Sequence, residues 1–156
     1  MAQKFEQLKN FNVQPVDDGK YKIGVDSDDF DKIKHLKPVF AFDFICQDNS
    51  EFSFCGKLLG TSDYKKLLIN LRRISQNTYY TLSHDSQFHF HDIEWSDVTV
   101  KESDFNKCIF GENEGSGDIT PYQIKVYEEA RLIGFIYRGV FYLVMFDRGH
   151  NAYKRK

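Results

Sequence analysis

The chain has 156 residues, of which 41% are hydrophobic, 28% charged and 16% aromatic, with only three prolines. That length and balance fit one globular domain with a real core and exclude a disordered or linker-rich chain. The net charge of −2 excludes a uniformly basic, nucleic-acid-coating surface. It also hides an asymmetry. Residues 131–156 carry six Lys/Arg and one Asp, net +5, whereas residues 1–130 carry fifteen Lys/Arg against twenty-two Asp/Glu, net −7. A basic end on an acidic body points to a local anion contact, or to a tail that serves solubility.

Taken in chain order, residues 12–25 read as a small hairpin turning at Asp18-Gly19. Ser27 is placed to cap a short helix over residues 27–36, whose apolar positions Phe30, Ile33 and Leu36 lie three apart. The alternating phenylalanines of Val39–Ile45 and Glu51–Leu59 predict two strands joined through the turn-prone residues 47–50. Residues 62–75 give the strongest helix pattern, with Ser62 as cap and Leu67, Leu68, Leu71 and Ile74 as its apolar stripe. Residues 76–87 read as irregular.

Phe88 to Trp95 reads as a strand whose apolar phase shifts near His91-Asp92, predicting a bulge there. A long loop is expected over residues 96–121, with its Gly-rich acidic part at 111–118. The acidic spacing does not match an EF-hand, and the glycines lack the Lys-Ser/Thr of a P-loop. A strand at Tyr122–Tyr127 then leads into a hairpin, Arg131–Tyr137 and Val140–Phe146, around Arg138-Gly139. Pairing Tyr137 with Val140 sets Arg131 opposite Phe146 and beside Asp147. The expected fold is therefore α+β: a curved antiparallel sheet with one main helix packed on a face and a C-terminal β-meander. Residues 1–156 form one domain, with 1–36 as an N-terminal hairpin–helix extension.

The first residues show no apolar stretch of a secretory signal, and Val140–Phe146 is too short to span a bilayer. Cys46, Cys55 and Cys108 are odd in number and have no CxxC spacing. A disulfide framework or a thiolate zinc site is thus not expected, and a reducing, cytoplasmic setting without membrane contact is.

Two segments hold three of the five histidines. The first ends the hairpin: Arg131, Asp147, Arg148, His150 and Tyr153. Metal-free RNA cleavage needs a base, an acid and a cation for the developing charge. His150 and Tyr153 are suited to proton transfer, and Arg131 and Arg148 to gripping phosphate. Asp147 would orient His150 or pair with Arg131. The structural alternative is a turn in which Asp147 satisfies backbone N–H groups. The second segment is His89-Phe90-His91. On a strand both imidazoles share a face, where they could act as an acid–base pair, hold a metal with a third ligand, or simply be half-buried.

The motifs Phe88-His89-Phe90-His91-Asp92, Arg131-Leu132-Ile133-Gly134-Phe135 and Asp147-Arg148-Gly149-His150-Asn151-Ala152-Tyr153 together resemble uncharacterised small bacterial and mobile-element proteins. That resemblance spans residues 38–153 and implies no assigned function. Residues 122–153 also resemble the end of RelE/ParE-like toxins, whose antiparallel meander carries Arg, then His, then Tyr. The resemblance implies that Arg131, His150 and Tyr153 line an RNA-cleaving surface. This chain differs in being longer, in its early Phe-rich segments and in its acidic balance.

The expected function is an endoribonuclease-like toxin or defence protein using His150, His91 and His89 without metal or other cofactor. Its substrate would be RNA. The alternative is a non-catalytic protein that binds a partner such as an antitoxin or a host factor, and a further alternative is metal-dependent hydrolysis through His89 and His91.

Overall fold

A computed structural model describes residues 21–25, 29–48, 51–111 and 117–154. The α+β expectation holds. Five strands form an open sheet: β2 (Val39–Ala41), β3 (His91–Asp92), β5 (Tyr122–Lys125), β6 (Arg131–Tyr137) and β7 (Val140–Asp147). Their order is β2-β7-β6-β5-β3. The C-terminal meander β5–β6–β7 is antiparallel throughout, as is β3 on β5. The sheet as a whole is mixed rather than antiparallel, because β2 adds to the β7 edge in parallel. A separate parallel pair joins β1 (Tyr21–Ile23) to β4 (Gly117–Ile119). Most of the expected first hairpin, including its Asp18-Gly19 turn, lies outside the described residues.

The β6–β7 hairpin turns at Arg138 and Gly139, both at positive φ (51° and 79°), the backbone of a two-residue turn that matches strand twist. Tyr137 pairs with Val140 as its sequence predicts. Farther along, Gly134 pairs with Leu143 while Ile133 pairs with Met145, so Val144 is an extra residue on β7. This bulge moves Arg131 one position, directly opposite Asp147. Gly134 makes it possible, since a Cβ there would fall on the Tyr142 carbonyl oxygen.

Apolar side chains cover both faces of the sheet. One face packs Ile124, Leu132, Phe141 and Phe146 under α1 (Thr61–Ser75) and α2 (Tyr79–His84). The other packs Ile133, Phe135, Val144 and Met145 under α3 (Glu102–Phe110). The helix of residues 62–75 thus forms, but it is capped at Gly60, whose N–H donates to the Asp63 carboxylate (2.9 Å), rather than by Ser62. Leu68 lies outside its buried stripe.

Two other helices are not legible in the sequence. α2 starts at Thr78, whose side chain accepts from the Thr81 N–H. α3 sits within the expected loop and buries Phe105, Ile109 and Phe110. The helix expected over 27–36 is, in its described part, a single 3-10 turn at Phe30–Lys32.

The Phe-rich pair of strands shrinks to β2. Beyond it the chain crosses the β7 edge, sending Phe44 into the α3-side core and Phe54 into the α1-side core. Alternation here serves two cores instead of one pleated face. Cys46 and Cys108 form a disulfide across 62 residues, with Cα atoms 5.5 Å apart, tying this crossing to α3. Local spacing could not reveal that pair, and the reducing compartment inferred from the cysteines loses its basis. Closing a loop of that length restricts the unfolded chain, a stabilisation of about 2–4 kcal/mol. A reductant should therefore lower the urea unfolding midpoint of the wild type but not of Cys108→Ala; equal midpoints with and without reductant would show the pair to be unformed. Among the described residues no helix is long and apolar enough to cross a membrane.

Candidate active site

The hairpin's open end is folded back by Asp147. Its buried carboxylate accepts the N–H groups of Asn151 (2.8 Å) and Ala152 (2.9 Å), closing a turn in which His150 has φ 56°. Ala152 then enters the α3-side core and its carbonyl accepts the Thr99 N–H (2.6 Å). Tyr153 forms a bridge with Val98. Residues 97–99 follow β3 in the chain, so this pairing carries the tail to the opposite edge of the meander, where His91 stands.

The result is a cluster around the Tyr153 ring. The His150 ring lies 5.5 Å from it and the His91 ring 6.4 Å, centroid to centroid. His89 precedes β3 by two residues and sits at φ 42°, ending a 3-10 turn instead of continuing a strand. Its exposed imidazole nevertheless feels Arg131, Lys125, His91 and His150 electrostatically. Desolvation first, then these positive neighbours, pull its pKa below the ordinary histidine value. Two of the three histidines thus occupy left-handed backbone, which costs non-glycine residues about 1 kcal/mol or more.

Beneath the histidines lies a polar floor. Gln123, opposite His91 in register and almost fully buried, donates through its amide nitrogen to the His89 carbonyl (3.2 Å) and to His91 Nε2 (2.8 Å). His91 Nε2 is therefore an acceptor, and its proton sits on Nδ1, which donates to the Asp92 carbonyl (2.6 Å). Both ring nitrogens of His91 are engaged.

Arg131 is 4% exposed, yet among the described residues its guanidinium donates only to the main-chain carbonyls of Glu129 (2.9 Å) and Ala130 (3.3 Å). Burial pulls its pKa down, against the opposing fields of Glu129, Asp147 and Tyr153. Gln123 Oε1, Arg131 Nε and the Tyr153 hydroxyl are all buried, with no hydrogen-bond partner among the described residues. Unpaired buried polar atoms are costly and cluster where a protein keeps groups for something other than stability. Burial pushes the Tyr153 hydroxyl up to about 12, so it stays protonated at neutral pH.

The sequence-nominated residues divide accordingly. His91, His150 and Tyr153 come together, with His89 and Arg131 within electrostatic reach of them. Arg148 does not: its side chain lies on the α1 side, bonded to Asp63 (2.7 Å) and Glu128 (3.1 Å) and over the Tyr127 ring. It helps hold Asp63, whose pKa is lowered first by the Gly60 N–H and then by Arg148. Arg131 is too enclosed to be an exposed phosphate grip. Asp147 orients the turn that carries His150 rather than the imidazole itself, and although opposite Arg131 it spends its oxygens on backbone N–H groups. The expected Arg–Asp contact is thus a register pair without an ion pair.

Three residues that sequence reasoning missed are Gln123, Lys125 and Glu129. Glu129 Oε2 lies 3.6 Å from His150 Nδ1 and is the carboxylate that faces the ring. Lys125 pairs in register with Arg131 and is half-buried. The available signal was Gln123 and Lys125 alternating along a short apolar strand. Among the described residues no three His, Cys, Asp or Glu side chains converge to hold a metal ion, so the His89/His91 pair lacks a third ligand.

Asp147→Ala should strand two N–H donors, that of Ala152 buried and that of Asn151 part-buried, and cost about 1–3 kcal/mol. Asp147→Asn, which keeps one of the two acceptor positions, should fall between it and wild type in thermal unfolding. Equal stability of all three would remove the turn's lock. Comparison with protein-family models, curated proteins and solved structures gives no match.

Proposed function

We propose that the protein is a metal-independent endoribonuclease of the toxin or defence type, acting through His89 and His150. The observation that carries this reading is the packing of the His91 and His150 rings around Tyr153, with His89 within electrostatic reach of both, above buried Arg131 and Gln123 atoms that have no hydrogen-bond partner among the described residues. A structural turn accounts for Asp147. It does not account for an enclosed cation that, among the described residues, feels Glu129 and Asp147 only at a distance and forms no ion pair, an arrangement that is expensive unless it serves an anionic substrate or transition state.

The roles follow from the environments. His89 is exposed, and desolvation first and then its positive neighbours lower its pKa, which suits a base that takes the proton of a ribose 2′-hydroxyl. The 2′-oxygen attacks the adjacent phosphorus, and the bond from phosphorus to the 5′-oxygen breaks. His150, with Glu129 beside its Nδ1, donates the proton that the departing 5′-oxygen needs. The products are a 2′,3′-cyclic phosphate and a 5′-hydroxyl. Lys125, with Arg131 beneath, supplies positive charge to the phosphate oxygens. Gln123, itself bonded to His91, positions the His89 backbone, and Tyr153 packs against the His91 and His150 rings.

RNA incubated with the protein in a chelator should yield 2′,3′-cyclic ends. Because the pKa of His89 is lowered, its basic form dominates above that value, so the rising limb of the rate should lie below about pH 6.5, the ordinary histidine value. A rate that climbs only above pH 7.5 would exclude His89 as the base, and intact RNA would exclude the reaction. A second reading, a non-catalytic protein-binding role, draws on α1, where Leu68 and Ile69 are more than half exposed. It is favoured if RNA survives and Leu68→Glu abolishes association with an antitoxin or host factor.

A further inference from the structure

On the face of β3 opposite the His91 ring lies a second feature. Phe30, Ser83, Phe90, His91, Asp92 and Tyr122 line an open cleft of about 270 Å³. Small-molecule sites start at about 300 Å³, so this one has room for a single planar group and not for an extended cofactor. Its wall is aromatic: the half-buried Phe30 ring stacks on Tyr122, 6.4 Å away at 19°, and Phe90 and Tyr122, both buried, stack 5.4 Å apart at 23°, so Phe30 is the ring that offers a face. Asp92 pairs with Tyr122 in register, which puts its side chain on this same face. The Asp92 carboxylate is exposed and makes no hydrogen bond or ion pair among the described residues.

We propose that this cleft binds the guanine base of an RNA strand, so that the phosphate following it lies at the histidines. This rests on the ribonuclease reading for its purpose, though the binding itself does not depend on catalysis. Aromatic faces accept any base by stacking, so the choice falls to the polar group. An ionised carboxylate only accepts hydrogen bonds. Guanine is the base whose pairing edge presents two adjacent donors, the ring N–H and the exocyclic amine, to both oxygens at once. Adenine and cytosine set one amine beside an acceptor, and uracil sets one N–H between two.

The position fits as well. Successive residues of a strand point to opposite faces, so Asp92 addresses the cleft while His91 addresses the catalytic cluster. β3 is an edge strand only two residues long, and a nucleotide has only that edge to wrap.

The test is binding of guanosine 3′-monophosphate beside the adenosine, cytidine and uridine equivalents, by calorimetry and by amide shifts in the wild-type protein. The guanosine nucleotide should bind at least about tenfold more tightly, the discrimination that one bidentate pair supplies. Its shifts should centre on Ser83, Phe90 and Asp92, and Asp92→Asn should erase the preference. Equal affinities, no binding, shifts centred elsewhere, or a preference that survives Asp92→Asn would each overturn the proposal. Guanosine preference with uncut RNA would overturn the ribonuclease reading alone. RNA cut equally after all four bases would overturn the guanine subsite alone.

Discussion

His150→Asn is expected to slow RNA cleavage by about 10²–10⁴-fold, the usual worth of one positioned acid. Asparagine is the informative replacement because His150 occupies left-handed backbone, φ 56°, which asparagine tolerates and alanine does not. The Asp147 turn should therefore survive with Asn151 and Ala152 still held, and the unfolding midpoint should stay close to wild type. His150→Ala would mix chemistry with backbone strain. Near-normal cleavage by His150→Asn would remove this residue from the reaction, whereas a large loss of stability would mean that the ring is structural. Arg148→Gln, on the opposite face, should leave the rate unchanged and lower only stability through its bonds to Asp63 and Glu128.

The largest effect on folding is expected at Gly134. A methyl group there would overlap the Tyr142 carbonyl and press on the Phe141 ring. Backbone cannot rotate away as a side-chain tip can. Gly134→Ala should cost about 3 kcal/mol or more, beyond ordinary overpacking. With a urea slope of about 2 kcal/mol per molar for a chain this size, the midpoint should drop by roughly 1.5 M. The bulge beside Gly134 also sets Arg131 opposite Asp147, so any folded fraction should have lost activity disproportionately. An unchanged midpoint would show that the β6–β7 register differs from the one described.

The C-terminal meander was legible because local rules determine it. Arg138-Gly139 marks a turn, flanking apolar runs mark strands, and Tyr137–Val140 pairing follows. The candidate residues were legible as types, since few histidines exist to choose among. Their convergence was not. It depends on Tyr153 bridging Val98, a pairing across 55 residues with no local signature. The Phe-rich segment misled because alternation reports two environments without saying that they are two faces of one sheet; here Phe44 and Phe54 enter separate cores. α3 escaped notice because Glu102, Ser103 and Asp104 precede its apolar residues and read as loop. Gln123 and Glu129 are ordinary polar residues until the fold puts them against His91 and His150.

The claim that His89 and His150 serve one reaction is tested most directly by a kinetic cycle in chelator: wild type, His89→Asn, His150→Asn and the double variant on one RNA substrate. Groups that act as a unit lose most of their effect with the first removal. The account predicts that each single variant falls by at least about a hundredfold and that the double falls little further. Single losses that multiply in the double variant, or a wild type that leaves RNA intact, would contradict it.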